Sequence, residues 1–229
     1  MQSVAAEMQH AETAFVRFTG EFHELRWFTP TVEVDLCGHA TLAAAHVLWQ
    51  ADLHSKWQSI RFQTKSGILS ARLEDGEIIL DFPAEPATEA QAPTDLRAVL
   101  GCEPVWVGKN RMDWLAELPS EEEVRQLSPD LQAIAGMGMR GLIVTARATS
   151  GECDFVSRFF APQVGVPEDP VTGSAHCCLA PYWAERLARQ EMVGYQASIR
   201  GGTVRVRLKG DRVDLIGRGV TVLEGHLAC

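Results

Sequence analysis

Two short stretches carry residues able to hold an anion and move a proton: Asp35-Leu36-Cys37-Gly38-His39-Ala40-Thr41 and Glu168-Asp169-Pro170-Val171-Thr172-Gly173-Ser174-Ala175. In each, a glycine stands at the mouth of an apolar helix. A helix start offers unpaired N–H groups and a positive dipole end, so it readily holds an anion. The N–H groups at Gly38, Gly173 and Ala175 and the Ser174 hydroxyl suit a substrate carboxylate, with plain N-capping as the bland reading of the serine. Proton transfer at carbon also needs a base, a group to hold the developing charge, and exclusion of water. Glu12 is the candidate base. It immediately precedes the apolar stretch Thr13–Phe18, and drawn into a cleft its neutral form would be favoured, letting it take and return a proton. The bland reading is a solvated glutamate at a strand start. His39 would donate to a substrate oxygen or relay a proton, or else simply cap or pack. Asp169, just ahead of its helix, would by itself be an ordinary capping carboxylate.

The elements that must position these residues follow from periodicity. Met1–Met8 reads as the tail of a helix and Gly38–Ala51 as an apolar, Ala-rich helix buried by its surroundings. Strands are predicted at Thr13–Phe18, Leu25–Phe28, Ile60–Gln63, Ile68–Leu73 and Ile78–Phe82, with Glu74-Asp75-Gly76 as a hairpin turn. Glu85–Thr94 is the linker candidate. Beyond it, Thr94–Leu100 is a short helix closed by Gly101, and Val105–Val107 and Trp114–Glu117 are strands. Ser120–Ala135 is a helix opened by a Ser120/Glu123 capping box. Then come strands at Gly141–Ala146 and Asp154–Phe160, a helix at Ala175–Arg189, and strands at Ser198–Ile199, Val204–Leu208 and Val213–Ile216.

The second half repeats the first. A shift of 135 residues takes Gly38 to Gly173, Ala40 to Ala175, Gly67 to Gly202, Arg72 to Arg207, Leu73 to Leu208 and Leu80 to Leu215, with nothing inserted between. Upstream, Arg26-Trp27-Phe28-Thr29-Pro30 resembles Arg158-Phe159-Phe160-Ala161-Pro162 at a shift of 132. The predicted fold is therefore α+β: two pseudo-symmetric domains, 1–88 and 89–229, each a curled, mostly antiparallel sheet around one helix, with the ligand held between them.

Composition excludes several classes. A formal charge of −9 and a pI of about 5.3 argue against a nucleic-acid partner, which needs a basic face. No apolar run approaches the roughly 20 residues of a membrane span, and no signal-peptide pattern opens the chain. Six cysteines (Cys37, Cys102, Cys153, Cys177, Cys178, Cys229) lack both disulfide-scaffold density and C-x-x-C spacing. A soluble cytoplasmic protein without metal or cofactor is expected. Gly136-x-Gly138-x-x-Gly141 matches a dinucleotide pattern but follows a helix and precedes a strand, the wrong order. Cys177-Cys178 reads as helix packing, Glu121-Glu122-Glu123 as a solvated helix first turn. His10, Glu12 and His39 lack metal-ligand spacing.

At Ala11-Glu12-Thr13-Ala14-Phe15, Leu25-Arg26-Trp27-Phe28-Thr29-Pro30, Leu36-Cys37-Gly38-His39-Ala40-Thr41 and Glu168-Asp169-Pro170-Val171-Thr172-Gly173-Ser174-Ala175, the chain resembles the PhzF family of phenazine-biosynthesis-like proteins, distant relatives of diaminopimelate epimerase and proline racemase. The resemblance implies a diaminopimelate epimerase-like fold, a homodimer, and a cofactor-free isomerase acting on a small carboxylate-bearing substrate. Glu12 would be the acid/base, and Asp169 would orient His39 or Glu12 or contact a substrate amino group. Family members normally begin with a strand and a Gly-Asn-Pro segment; Met1 falls in the helix after it, so one strand of the first domain is expected to be lacking. Two other functions fit. A racemase would use Cys37, whose repeat partner Thr172 breaks a two-thiol pair and leaves packing as the expected role of the cysteine. The fold would also serve a binding protein without turnover.

Overall fold

The computed structural model describes residues 1–19, 22–51, 59–92, 95–149 and 151–227; Pro93 and Thr94, within the expected linker and short helix, and Cys229 lie outside them. The chain is a mixed α+β fold with one large curled sheet and few helices. In the first half, α1 (Gln2–Met8) precedes β1 (Thr13–Phe18), β2 (His23–Phe28), the short β3 (Glu33–Val34), α2 (Gly38–Gln50), β4 (Ser59–Thr64), β5 (Gly67–Glu74) and β6 (Glu77–Pro83). Then come β7 (Thr88–Glu89), α3 (Leu96–Leu100), β8 (Trp106–Lys109), β9 (Asp113–Glu117), α4 (Glu121–Gln126) and α5 (Leu131–Ala135). The second half closes with β10 (Gly141–Arg147), β11 (Phe155–Phe160), α6 (Gly173–Leu187), β12 (Glu191–Gln196), β13 (Gly202–Lys209) and β14 (Arg212–Gly217).

The pairing pattern states the repeat directly. β1 runs antiparallel to β2, β2 parallel to β4, and β4–β5–β6 antiparallel; β10, β11, β12, β13 and β14 reproduce that series. The halves join where β6 pairs antiparallel with β14, and Leu80 sits opposite Leu215 there. Those leucines are repeat partners, so the local two-fold axis passes between them. Outside this frame, β10 carries β9 in parallel on its outer edge, whereas the outer edge of β1 has no partner among the described residues.

Register refines the expected alignment. The pairs His23↔Phe62 and Phe155↔Gly194 put β4 and β12 at a shift of 132, not 135. The uninterrupted 135-residue match is therefore corrected: the turn between β12 and β13 holds three residues more than that between β4 and β5. Ser198–Ile199 belongs to this turn, not to a strand. The strand is β12, where Met192, Gly194 and Gln196 alternate inward. The expected helix Ser120–Ala135 is also divided, into α4 and α5. Pro129 lacks an N–H and pushes Ser128 out of helical backbone, so the helix stops and Asp130 caps a new one. The capping box at Ser120 and Glu123 forms as expected.

α2 and α6 are the central helices, buried in one core cluster shared by both halves. A second cluster lies under α3, α4 and α5. In α6 both Cys177 and Cys178 are buried packing residues. Pro181 sits inside α6 and cannot donate to the Cys177 carbonyl one turn earlier. That carbonyl instead accepts the Glu85 N–H at 3.0 Å, so the expected linker is fastened to the helix at its start and enters the sheet as β7.

Candidate functional site

The two helix starts meet. A Cβ built on Gly38 would lie 2.8 Å from the Gly173 Cα, and one on Gly173 the same distance from the Gly38 Cα. Glycine is required at both positions for close approach, since only absence of a side chain lets two backbones pack so tightly. The segments feeding these starts are pinned alike. Arg26 grips Glu33 through two hydrogen bonds of 2.8 and 2.9 Å, and Arg158 grips Glu168 through two of 2.7 and 3.0 Å. Such bidentate forks fix geometry as well as charge. The first pair holds the Glu33 carboxyl down at about 2, chiefly through Arg26, with Lys65 adding to it.

At the first helix mouth, the start of β1 brings Glu12 against His39, the second residue of α2. Glu12 Oε2 lies 3.2 Å from His39 Nε2, at ion-pair distance but off the line of a straight hydrogen bond. His39 Nδ1 stands 2.9 Å from the Val171 carbonyl in the other half. A carbonyl only accepts, so Nδ1 carries a hydrogen and the ring is held with Nε2 toward Glu12. Burial works against charge on His39, but the Cys37 sulfur and the Glu12 and Asp169 carboxylates act the other way, and its pKa lies well above the usual histidine range. Cys37, expected to be packing, is buried in the main core cluster and also places its sulfur 3.7 Å from Nδ1 and 3.9 Å from Nε2 at the edge of the site. Burial raises its pKa, with the His39 ring opposing and the Glu12 charge adding to the effect.

At the second mouth, the residue preceding β10 plays the part that Glu12 plays at the first. Arg140 Nη2 donates to Ser174 Oγ at 2.8 Å, and Ser174 is the second residue of α6, the repeat partner of His39. The guanidinium is anchored on Asp113, which is fully buried, through Nε at 2.9 Å and a second contact from Nη2. Asp169 lies beside it with one carboxylate oxygen accepting the Thr172 hydroxyl at 2.5 Å and the other, buried, without a hydrogen bond. Burial raises its pKa to about 6, with Glu12 adding and His39 opposing. The inward Gln196 of β12 locks this turn, accepting the Thr172 N–H at 2.7 Å and donating to the Asp169 carbonyl at 2.6 Å.

Glu12, Cys37, Gly38, His39, Asp169, Gly173, Ser174 and Arg140 line one cavity of about 320 Å³, with apolar Leu36, Phe159, Val164 and Val166 in its wall. Of the residues singled out in the sequence, Ala175 alone stands back from this lining, buried in the main core. Arg140 escaped the sequence reading: its partner Asp113 is 27 residues away, and no local pattern marks it. Glu121 is a correction of another kind. It is buried, not solvated, and accepts the Thr149 N–H at 2.7 Å while pairing with Arg125. His10 is exposed and apart from this group, and Gly136–Gly141 joins α5 to β10, as its order in the sequence required.

A doubled curled sheet whose two central helices meet at a small polar cavity is the epimerase type of α+β fold. A hydroxyproline epimerase of Agrobacterium vitis shares that fold, with a TM-score of 0.65 at 12% identity over 92% of this chain and 72% of the epimerase. The family model of the phenazine biosynthesis-like proteins (PhzC-PhzF) matches residues 1–225. An uncharacterized isomerase of Halalkalibacterium halodurans is 53% identical over 99% of this chain and 86% of its own length. The crystal structure of a putative phenazine biosynthesis PhzC/PhzF protein from Clostridium difficile superimposes with a TM-score of 0.90 at 38% identity, covering 100% of this chain and 87% of that one. The chain belongs to the phenazine biosynthesis-like PhzC/PhzF family of isomerases.

Proposed function

We propose that this isomerase moves a proton between carbons of a small carboxylate-bearing substrate without a cofactor, with Glu12 as the acid/base. The observation that carries this reading is the Glu12–His39 pair at 3.2 Å inside a partly apolar cavity between two helix starts. A substrate carboxylate fits the second mouth, where Ser174 Oγ, the Arg140 guanidinium and the Gly173 N–H converge. That placement turns the substrate carbon toward the first mouth. The Glu12 carboxylate takes the C–H proton, the electron pair delocalises toward an oxygen that His39 faces, and the protonated Glu12 returns the proton to a different carbon. Bonds and charge balance with nothing added. Asp169 keeps a neutral carboxyl beside the site below about pH 6 and limits the negative charge there. A cytoplasmic homodimer and a division of the chain at residues 88 and 89 belong to the same reading; among the described helices none is long and apolar enough to cross a membrane.

The test is solvent deuterium incorporation into carbon, screened over dihydroaromatic and amino-acid carboxylates in deuterated water. Exchange abolished by Glu12→Gln and kept by Cys37→Ser is the expected result. A second reading, stereoinversion through the Cys37 thiol, is favoured by the sulfur lying on the His39 ring; loss of exchange in Cys37→Ser would put it first.

A further inference from the structure

Two guanidiniums, not one, line the cavity. Beside Arg140 stands Arg111, on the turn between β8 and β9. The two are neighbours because β9 and β10 run parallel, and the Arg140 N–H donates to the Met112 carbonyl at 3.0 Å. The turn presenting Arg111 is fastened by Asn110, whose Oδ1 accepts the N–H groups of Met112 and Asp113 at 2.8 and 2.7 Å.

Each guanidinium is held from behind by a carboxylate. Asp113 anchors Arg140, and Glu85 Oε1 accepts from Arg111 Nη2 at 2.6 Å. Glu85 is itself fixed: its N–H lies on the carbonyl that Pro181 leaves free, and its own carbonyl accepts Asn110 Nδ2 at 3.3 Å. The exposures give the pair a direction. The Glu85 side chain is 14% exposed and that of Arg111 is 69%, so the acid lies within the fold and the cation is presented at the cavity rim. Among the described residues, Glu85 and the Met112 sulfur accept from Arg111, both through Nη2. The Nε and Nη1 hydrogens are left for a ligand. Elsewhere in the lining, Glu33 is taken by Arg26 and Lys65, and Glu12 by His39. Asp35, exposed on the segment feeding α2, repels a second anion from the first-mouth side. Adjacent strands lie about 4.8 Å apart, so one small molecule can reach both arginines.

Resting on the reading of the second mouth as a carboxylate site, we propose that the substrate is a dicarboxylate. One carboxylate lies on Arg140 and Ser174, and the second on Arg111, which selects doubly charged ligands over singly charged ones. The role of Arg111 is binding and not proton transfer.

The test is isothermal titration of the full chain with succinate, glutarate and adipate, each paired with the monocarboxylate of equal chain length (butyrate, valerate, hexanoate). At least one dicarboxylate is expected to bind about three- to tenfold more tightly than its partner, the size of one partly exposed charge-assisted contact. The ratio within a pair is the readout, because a general disturbance of the cavity moves both members. Arg111→Met is expected to erase the preference, and Arg111→Lys, which keeps the charge, to retain part of it. Ser174→Ala is expected to weaken both members, which ties the probes to this cavity. Equal affinities within every pair, a preference that survives Arg111→Met, or binding that Ser174→Ala leaves untouched overturns the subsite. Titration does not depend on turnover. A preference that follows Arg111 in a protein exchanging no substrate proton would uphold the subsite and remove the isomerisation reading. Glu12-dependent exchange into a monocarboxylate, with no preference within any pair, would keep the isomerisation and overturn the subsite.

Discussion

The two helix mouths are built on one backbone plan and carry opposite chemistry. In each, a glycine begins the helix, the next residue projects into the cavity, and the side chain just ahead of the repeat's first strand, β1 or β10, meets it. At α2 the meeting is Glu12 with His39; at α6 it is Arg140 with Ser174. In the proposed reaction the first pair exchanges protons and the second holds a charge without exchanging one, because a guanidinium does not titrate in the working range. A duplicated frame thus became an asymmetric site through a few substitutions at equivalent places. The loops feeding it keep the same Arg–Glu fork, Arg26–Glu33 and Arg158–Glu168, although the second is three residues longer.

The sharpest way to break this comparison is to exchange the roles. Glu12→Gln is expected to lower the exchange rate by about 10²- to 10⁴-fold, the size of a lost general base, with an unchanged circular dichroism spectrum. At the other mouth the larger effect falls on the fold. Arg140→Met strands Asp113, which is wholly buried, and is expected to cost about 3 to 5 kcal/mol in denaturant unfolding. Adding Asp113→Leu should recover much of that stability but not substrate binding. A single Arg140 variant as stable as the parent would mean that the anchor is not the structural partner described.

Acidity offers a gentler test, on two buried groups of the second half. His176 is buried and neutral, its pKa lowered to about 4, so the unfolded chain binds the extra proton and stability falls as pH drops from 6.5 toward 4. Asp169 runs the other way. Its pKa is raised to about 6, so its contribution is complete below pH 3.8 and is lost as pH rises through 6. Each is worth about 3 kcal/mol at about 1.4 kcal/mol per pH unit, and in the native chain the two nearly cancel. His176→Asn is expected to make stability fall with rising pH between 4 and 6, and Asp169→Asn to make it rise. Parallel curves for both variants would sink the assignment. Smallest is the glycine contact: Gly38→Ala and Gly173→Ala should cost similar amounts, about 1 to 3 kcal/mol each, and a cost at only one would show that the contact is not shared.

Much of this was legible in the sequence because it is local. The glycine-started helices, the Ser120 cap and the Arg-x-Phe strands sit in short windows whose periodicity or spacing speaks for itself. What stayed hidden depends on distance or on one residue overriding a pattern. β12 turns a glutamine and a glycine inward, so its alternation is invisible as hydrophobicity; Gln196 faces in because it must hold the Thr172 turn. Pro129 split a helix whose composition favoured continuity. Arg140 and Asp113 find each other only through the parallel pairing of β9 and β10, which no local window contains. Cys37 was set aside because Thr172 broke its symmetry, yet it reached the cavity through its neighbour His39.

The ladder between β6 and β14 has a mechanical consequence. Six residue pairs join the halves there, from Ile78↔Gly217 to Pro83↔Arg212. Swinging one half away from the other would tear that seam and expose its backbone groups. A substrate therefore enters a chassis whose halves stay joined, with the floor made by Gly38 and Gly173 and the pinned segments 29–37 and 161–172 at its rim.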